Sequence, residues 1–294
     1  MQSRIKSALL VFGLSVIGLQ AHAQIQLDIK FARLQYIAYE SVIATVGITN
    51  LAGRDIELND SEDQKWFGFE ITGNEGQPIA ESSSKLVQPP LRIEAGKRVT
   101  QKINLTPLYA VHDLGTYHVR AYLHFADLNR FFYSPRKVFE ITDARPIWQR
   151  TVGIPEHASA SGNTRTYSLL MNRFPNYTGL YVRVEDKDTG IVYATEALGH
   201  VISMDEPQAE LDRDNQLHVL HCSAPRSWAY TRIGLNGQVL ARSSLLEAKS
   251  RPRLSHSTEG QVVVKGGLSQ EAPVAARVIP APKLSDRPRD IPKP

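Results

Sequence analysis

His218, His221 and Cys222 are the densest group of metal-ligating side chains in the sequence. Side chains of an extended strand alternate between faces, so His218 and Cys222 share one side and His221 points to the other. One strand cannot gather all three on one ion, and no fourth ligand is apparent. Packed strand residues are therefore expected, with no metal and no cofactor. Asp186-x-Asp188-x-Gly190 and Asp212-x-Asp214-x-Gln216 open like calcium loops, which close on a bidentate carboxylate at the twelfth position. Those positions hold Ala197 and Ser223, so both runs read as Asp turns. There is no Gly-x-Ser-x-Gly, no phosphate-cradling loop and no dinucleotide fingerprint. Only His221 neighbours Cys222 as an activating group, and it should face away. The expectation is a protein that is not an enzyme.

The more suggestive pattern is a binding row. His118, Arg120, Tyr122 and His124 alternate with Tyr117, Val119, Ala121, Leu123 and Phe125. The second set reads as core. The first places two imidazoles, a guanidinium and a phenol on one outward face, with residue types typical of binding surfaces. Phe131, Phe132 and Tyr133 extend the row. The competing reading is a solvated sheet face, or one covered by a second domain. Trp66, Phe67 and Phe69 read as core, as do Trp228 and Tyr230 unless they line a groove between domains.

Period-2 hydrophobicity supplies the scaffold. Ile25, Leu27, Ile29 and Phe31 alternate with Gln26, Asp28 and Lys30, and Val42, Ala44, Val46 and Ile48 line a second run. Further strands are predicted at residues 65–72, 98–105, 115–125 and 130–141, separated by turns such as Glu94-Ala95-Gly96-Lys97. Beyond the boundary, strands are predicted at 167–173, 180–186, 191–195, 200–204, 216–222, 228–234, 239–243 and 261–265. Hairpin turns fall at Lys187–Gly190 and Leu235–Gln238. No helical stripe of three turns appears. The predicted class is all-β: a β-sandwich over 24–143, a linker over 144–165, a second small antiparallel β domain over 166–265, and a Pro-rich disordered tail over 266–294.

The order Leu91–Lys97, Ile103–Tyr109, then Leu114-Gly115-Thr116-Tyr117-His118-Val119-Arg120-Ala121 resembles immunoglobulin-like sandwiches of secreted bacterial proteins. It is similar to the N-terminal domains of deuterolysin-type zinc peptidases and to bacterial proteinase-inhibitor sandwiches. The resemblance covers 24–143 and implies an immunoglobulin-like fold. No His-Glu-x-x-His occurs, so it carries over no catalytic residue. Pro207–Leu220, Trp228-Ala229-Tyr230 and Asn236-Gly237-Gln238-Val239 resemble β-propeller-blade material over 166–246. One or two blades cannot close a ring, so a meander, or a sheet packed on the first domain, is expected.

Met1–Ala23 reads as a signal peptide: Arg4 and Lys6, an apolar stretch, then Ala21-His22-Ala23 before a cut between Ala23 and Gln24. Its apolar run is about a dozen residues, short of the ~20 a spanning helix needs. The formal charge is +4. Two of the 34 Lys/Arg lie in the leader, and the last 29 residues hold five more with three of the 30 Asp/Glu; residues 24–265 thus carry 27 of each sign. No net field recruits nucleic acid. A lone Cys leaves packing to hold the fold. The function expected is a secreted or periplasmic, more readily bacterial, non-catalytic binding or structural protein acting through sheet surfaces. Its partner would be a protein or cell-envelope component, with no transmembrane segment in the exported chain. The alternative is a proteinase inhibitor or accessory module of a secreted enzyme, binding through loops 60–65 or 82–90.

Overall fold

Alternating apolar residues become strands because one face can be buried while the other stays in water. In the computed structural model, which describes residues 24–61, 63–82, 86–154, 164–202 and 205–270, that is how the chain begins. β1 (Ile25–Phe31) buries Ile25, Leu27 and Ile29 and pairs antiparallel with β3 (Ile43–Asn50), which pairs with β7 (Arg98–Asn104). After β1 the chain crosses to the facing sheet. There β2 (Gln35–Ile37) runs parallel to β10 (Lys137–Thr142). The facing order is β2-β10-β8-β5, with β8 at Gly115–Phe125 and β5 at Phe67–Thr72. β9 (Arg130–Tyr133) pairs with the end of β8. A small ladder of β4 (Ile56–Leu58) and β6 (Leu91–Ile93) completes the unit. Both sheets feed one core that includes Val46, Ile48, Trp66, Phe67, Val119 and Phe139, each at most 2% exposed. Burying each such side chain is worth about 1.5–3 kcal/mol, which replaces the cross-link a disulfide would give.

Two meanders form the second unit. β11 (Arg145–Gly153), β12 (Thr164–Arg173), β13 (Thr178–Asp186) and β14 (Ile191–His200) lie side by side in chain order. So do β15 (Gln208–Leu211), β16 (Leu217–Ala224), β17 (Ser227–Ile233) and β18 (Val239–Leu246). The Thr189-Gly190 and Asn236-Gly237 turns join the third and fourth strands of each meander. Tyr167, Leu169, Val182, Leu217, Val219 and Ile233 pack between the two sheets. The hairpin β19 (Arg253–His256) and β20 (Val262–Lys265) sets Leu254 and Val264 on the other face of the second sheet, over Leu220, Cys222, Trp228 and Leu245. β21 (Leu268–Gln270) pairs with β18.

The all-β class and both hairpin turns agree with the sequence reading. Some boundaries do not. Residues 145–153 are not linker but strand β11, paired with β12 over its length. Pro146 resembles a boundary, and a bulge between Pro146 and Trp148 breaks the period. On this sheet edge only Trp148 and Val152 are even half-buried. Leu268–Gln270, assigned to the tail, is strand β21. The single run 130–141 splits into β9 and β10 at Ser134-Pro135-Arg136, since Pro cannot donate to the ladder. The signal peptide, its cut after Ala23, the stretch 155–163 and the tail beyond Gln270 lie outside the described residues.

The units meet along β2 through a small core of Ile37, Ala144, Leu170, Phe174 and Tyr181. Arg33 pairs with the buried Glu40 and donates to Tyr181 Oη at 3.0 Å. Burial raises the Glu40 pKa above its ordinary value, against the pull of Arg33. Arg183 donates to the Ala38 carbonyl at 2.6 Å. Between them Tyr39 holds φ at +64°, a conformation costing a non-glycine residue roughly 1–2 kcal/mol. Its ring stacks on His112 at 4.9 Å and lies 5.3 Å from the Arg183 guanidinium.

Candidate binding surface

β8 sits inside its sheet, so its alternation decides what reaches the outer face. Tyr117, Val119, Ala121, Leu123 and Phe125 enter the core. His118, Arg120, Tyr122 and His124 take the opposite side. Across the ladder, β5 places Thr72, Glu70 and Gly68 opposite His118, Arg120 and Tyr122. On the other flank β9 places Tyr133 opposite Tyr122 and Phe131 opposite His124.

These side chains hold one another. Arg120 Nε donates to Glu70 Oε2 at 2.6 Å, and the guanidinium lies 4.3 Å from the Tyr133 ring centre. Tyr133 and Phe131 run nearly parallel, 25° apart with centres at 6.2 Å, and Tyr122 meets Phe131 edge-on at 6.0 Å. Each such contact contributes about 0.5–1 kcal/mol beyond area burial. Gly68 makes room: a Cβ there would lie 2.4 Å from Tyr122 Oη. Burial, with the negative charges of Glu81 and Glu70, pushes the Tyr122 phenol pKa up, so it stays a neutral donor. Phe131 and Tyr133 remain 39% and 44% exposed. Among the described residues no hydrogen bond or ring contact from the second unit reaches this face.

Of the four residues expected in the row, His118 is exposed and Arg120 and Tyr122 are half-buried. His124 shares their side of the strand but is 4% exposed, with Phe131 at 4.7 Å and Nε2 3.2 Å from Asn129 Oδ1. It supports Phe131 and does not meet solvent. Phe132, proposed as an extension, turns inward and is 8% exposed. The pairing register of β9 with β8 decides both: it sets Phe131 and Tyr133 on the outer side, over His124 and Tyr122, and Phe132 on the inner side opposite Leu123.

Neither a protein-family model nor a curated protein matches this chain. The arrangement therefore speaks through its own geometry.

The other singled-out groups are structural. Asp186 Oδ1 accepts from the Asp188 and Thr189 N–H groups, and Asp212 Oδ1 accepts from those of Asp214 and Gln216, so both are Asx turns. His218 Nε2 lies 3.1 Å from Asp212 Oδ2, and the Tyr230 hydroxyl lies 2.8 Å from Nδ1, in a buried relay. Burial keeps the His218 pKa below its ordinary value. His221, on the opposite face as alternation requires, is fully buried, and burial lowers its pKa to about 4. Burial raises the Cys222 thiol pKa, which disfavours the nucleophilic thiolate. No group of three His, Cys, Asp or Glu among the described residues is placed to hold a metal ion. No helix among them is long and apolar enough to cross a membrane. Sequence reasoning missed the seam residues Arg33, Glu40 and Arg183, which are scattered singly in the chain.

Proposed function

We propose that this is an exported, non-catalytic binding protein, secreted or periplasmic, whose immunoglobulin-like first unit presents the β8–β9 face to a protein or cell-envelope partner. The single observation that carries the reading is the open ladder of Arg120, Tyr133 and Phe131 beside Tyr122. Large aromatic and Arg side chains are enriched among the residues that dominate interface energies. Exposed apolar area on a sheet face of a monomer is otherwise disfavoured.

The immunoglobulin-like assignment draws support from the strand order. β1-β3-β7 against β5-β8-β10 follows the A-B-E and C-F-G sheets of that fold. Trp66, buried immediately before β5, stands close to where such domains carry a core Trp. Tyr117, near the start of β8, donates its hydroxyl to the Asp113 carbonyl at 2.9 Å, in the manner of a tyrosine corner. The two meanders support the blade-like reading of the second unit, though two sheets cannot close a ring.

The test is a photo-crosslinker at Phe131 and, as control, at the exposed Val263, in the exporting host. The reading expects one discrete adduct from position 131, lost on Arg120→Ala with Tyr133→Ala, and none from 263. No adduct, or the same adducts from both positions, overturns it.

A further inference from the structure

A second candidate site lies away from the aromatic face. Where the chain leaves the first unit, β11 and β12 begin a ladder with Arg145 opposite Met171. Beside this junction lies a groove of about 790 Å³, within the range of small-molecule pockets. Such pockets favour domain junctions. Met171 gives it an apolar floor on the side of Arg145, while Ala144 and Pro146 line it from the other side of the ladder. Asn172 and Thr178 add amide and hydroxyl groups at the rim.

Its charge is what singles it out. Arg145 and Arg173 both line the groove and are both exposed. The register sets them on one face at diagonal positions, whose backbones typically lie roughly 7–8 Å apart. Like charges so placed repel unless something neutralises them. Neither arginine forms an ion pair among the described residues. Asp143 also lines the groove and, by extension of the register, falls across from Arg173. Its Oδ1 instead accepts from the Ala144 N–H at 2.8 Å. The groove keeps one net positive charge and two planar guanidinium forks, which match carboxylate or phosphate oxygens.

We infer that this groove binds a small organic anion, with its carboxylate or phosphate between Arg145 and Arg173 and its apolar body on Met171. Titration of the full chain with phenyl phosphate, followed by calorimetry and by the ¹³C-methyl signal of Met171, tests it. Met171→Leu assigns that signal among the three methionines. Saturable binding that moves the Met171 methyl is expected, weakened about tenfold by Arg173→Gln and abolished in the Arg145→Gln/Arg173→Gln pair. Arg173→Lys should keep part of the affinity. Both arginines are exposed, so a circular-dichroism melt of the double variant should match the parent. Inorganic phosphate should bind more weakly, since it leaves the floor uncovered. Competition by phosphatidylglycerol vesicles would mark a lipid headgroup as the natural source, and its absence a free metabolite. No saturable binding at millimolar concentration, equal binding of inorganic phosphate, or an unaffected double variant overturns the inference.

Discussion

His221 shows how one residue sets a property of the whole fold. It lies fully buried, and neither ring nitrogen makes a well-formed hydrogen bond. Its pKa, lowered from 6.5 to about 4 by burial, means the folded state refuses a proton that the unfolded chain accepts. A depressed folded pKa contributes stability that is complete above 6.5 and is lost as pH falls from 6.5 toward 4. The loss is ~3 kcal/mol once both states are protonated. His218, also lowered by burial, acts in the same direction. Urea unfolding at pH 7 and pH 4.5 should show the drop. His221→Leu, which leaves no unmet donor or acceptor, should remove most of it; an unchanged pH dependence in that variant would contradict the assignment.

At the level of elements, the β5–β8–β9 ladder carries the candidate face, and its geometry depends on a missing side chain. Tyr122 occupies the space above Gly68. Gly68→Ala should cost about 1–3 kcal/mol by overpacking and should tilt Tyr122 away from Phe131. In a Tyr122→Ala background the same change should cost almost nothing, because the clash partner is gone. A double-mutant cycle in urea measures the difference. Equal costs in both backgrounds would show that Gly68 serves the backbone and not the phenol. The alternation of β8 was legible in the sequence because one face is all core. The outcome at His124 and Phe132 was not, since it depends on the phase in which β9 pairs, and that phase is set by the 3-10 turn Ala126–Leu128 and by Asn129 at φ +47°.

For the whole molecule, the question is what fixes the two β units to each other. Arg33 reaches from the first unit to Tyr181 of the second while pairing with Glu40, which is 3% exposed. Arg33→Met should cost about 3–5 kcal/mol, because it strands a buried carboxylate. Adding Glu40→Gln should recover a large part of that loss, since an amide needs no counter-charge. Thermal melts of the single and double variants decide it; a double variant no more stable than Arg33→Met would place the role of Arg33 in its contacts with Tyr181 and the neighbouring rings.

Composition and periodicity by themselves determined the β class, the turn chemistry at Asp186, Asp212 and Asn236, and the core side of β8. Each of these follows from a local rule: alternation of burial along a strand, or a side chain closing its own turn. Tertiary structure alone decided that Arg145–Gly153 is a paired strand, that His124 is covered, and that Arg33, Glu40 and Arg183 join the units. It also decided that Arg145 and Arg173 share a groove. Register and inter-sheet packing bring together residues up to about 150 positions apart, and no pattern within a single strand encodes which distant side chain will lie opposite.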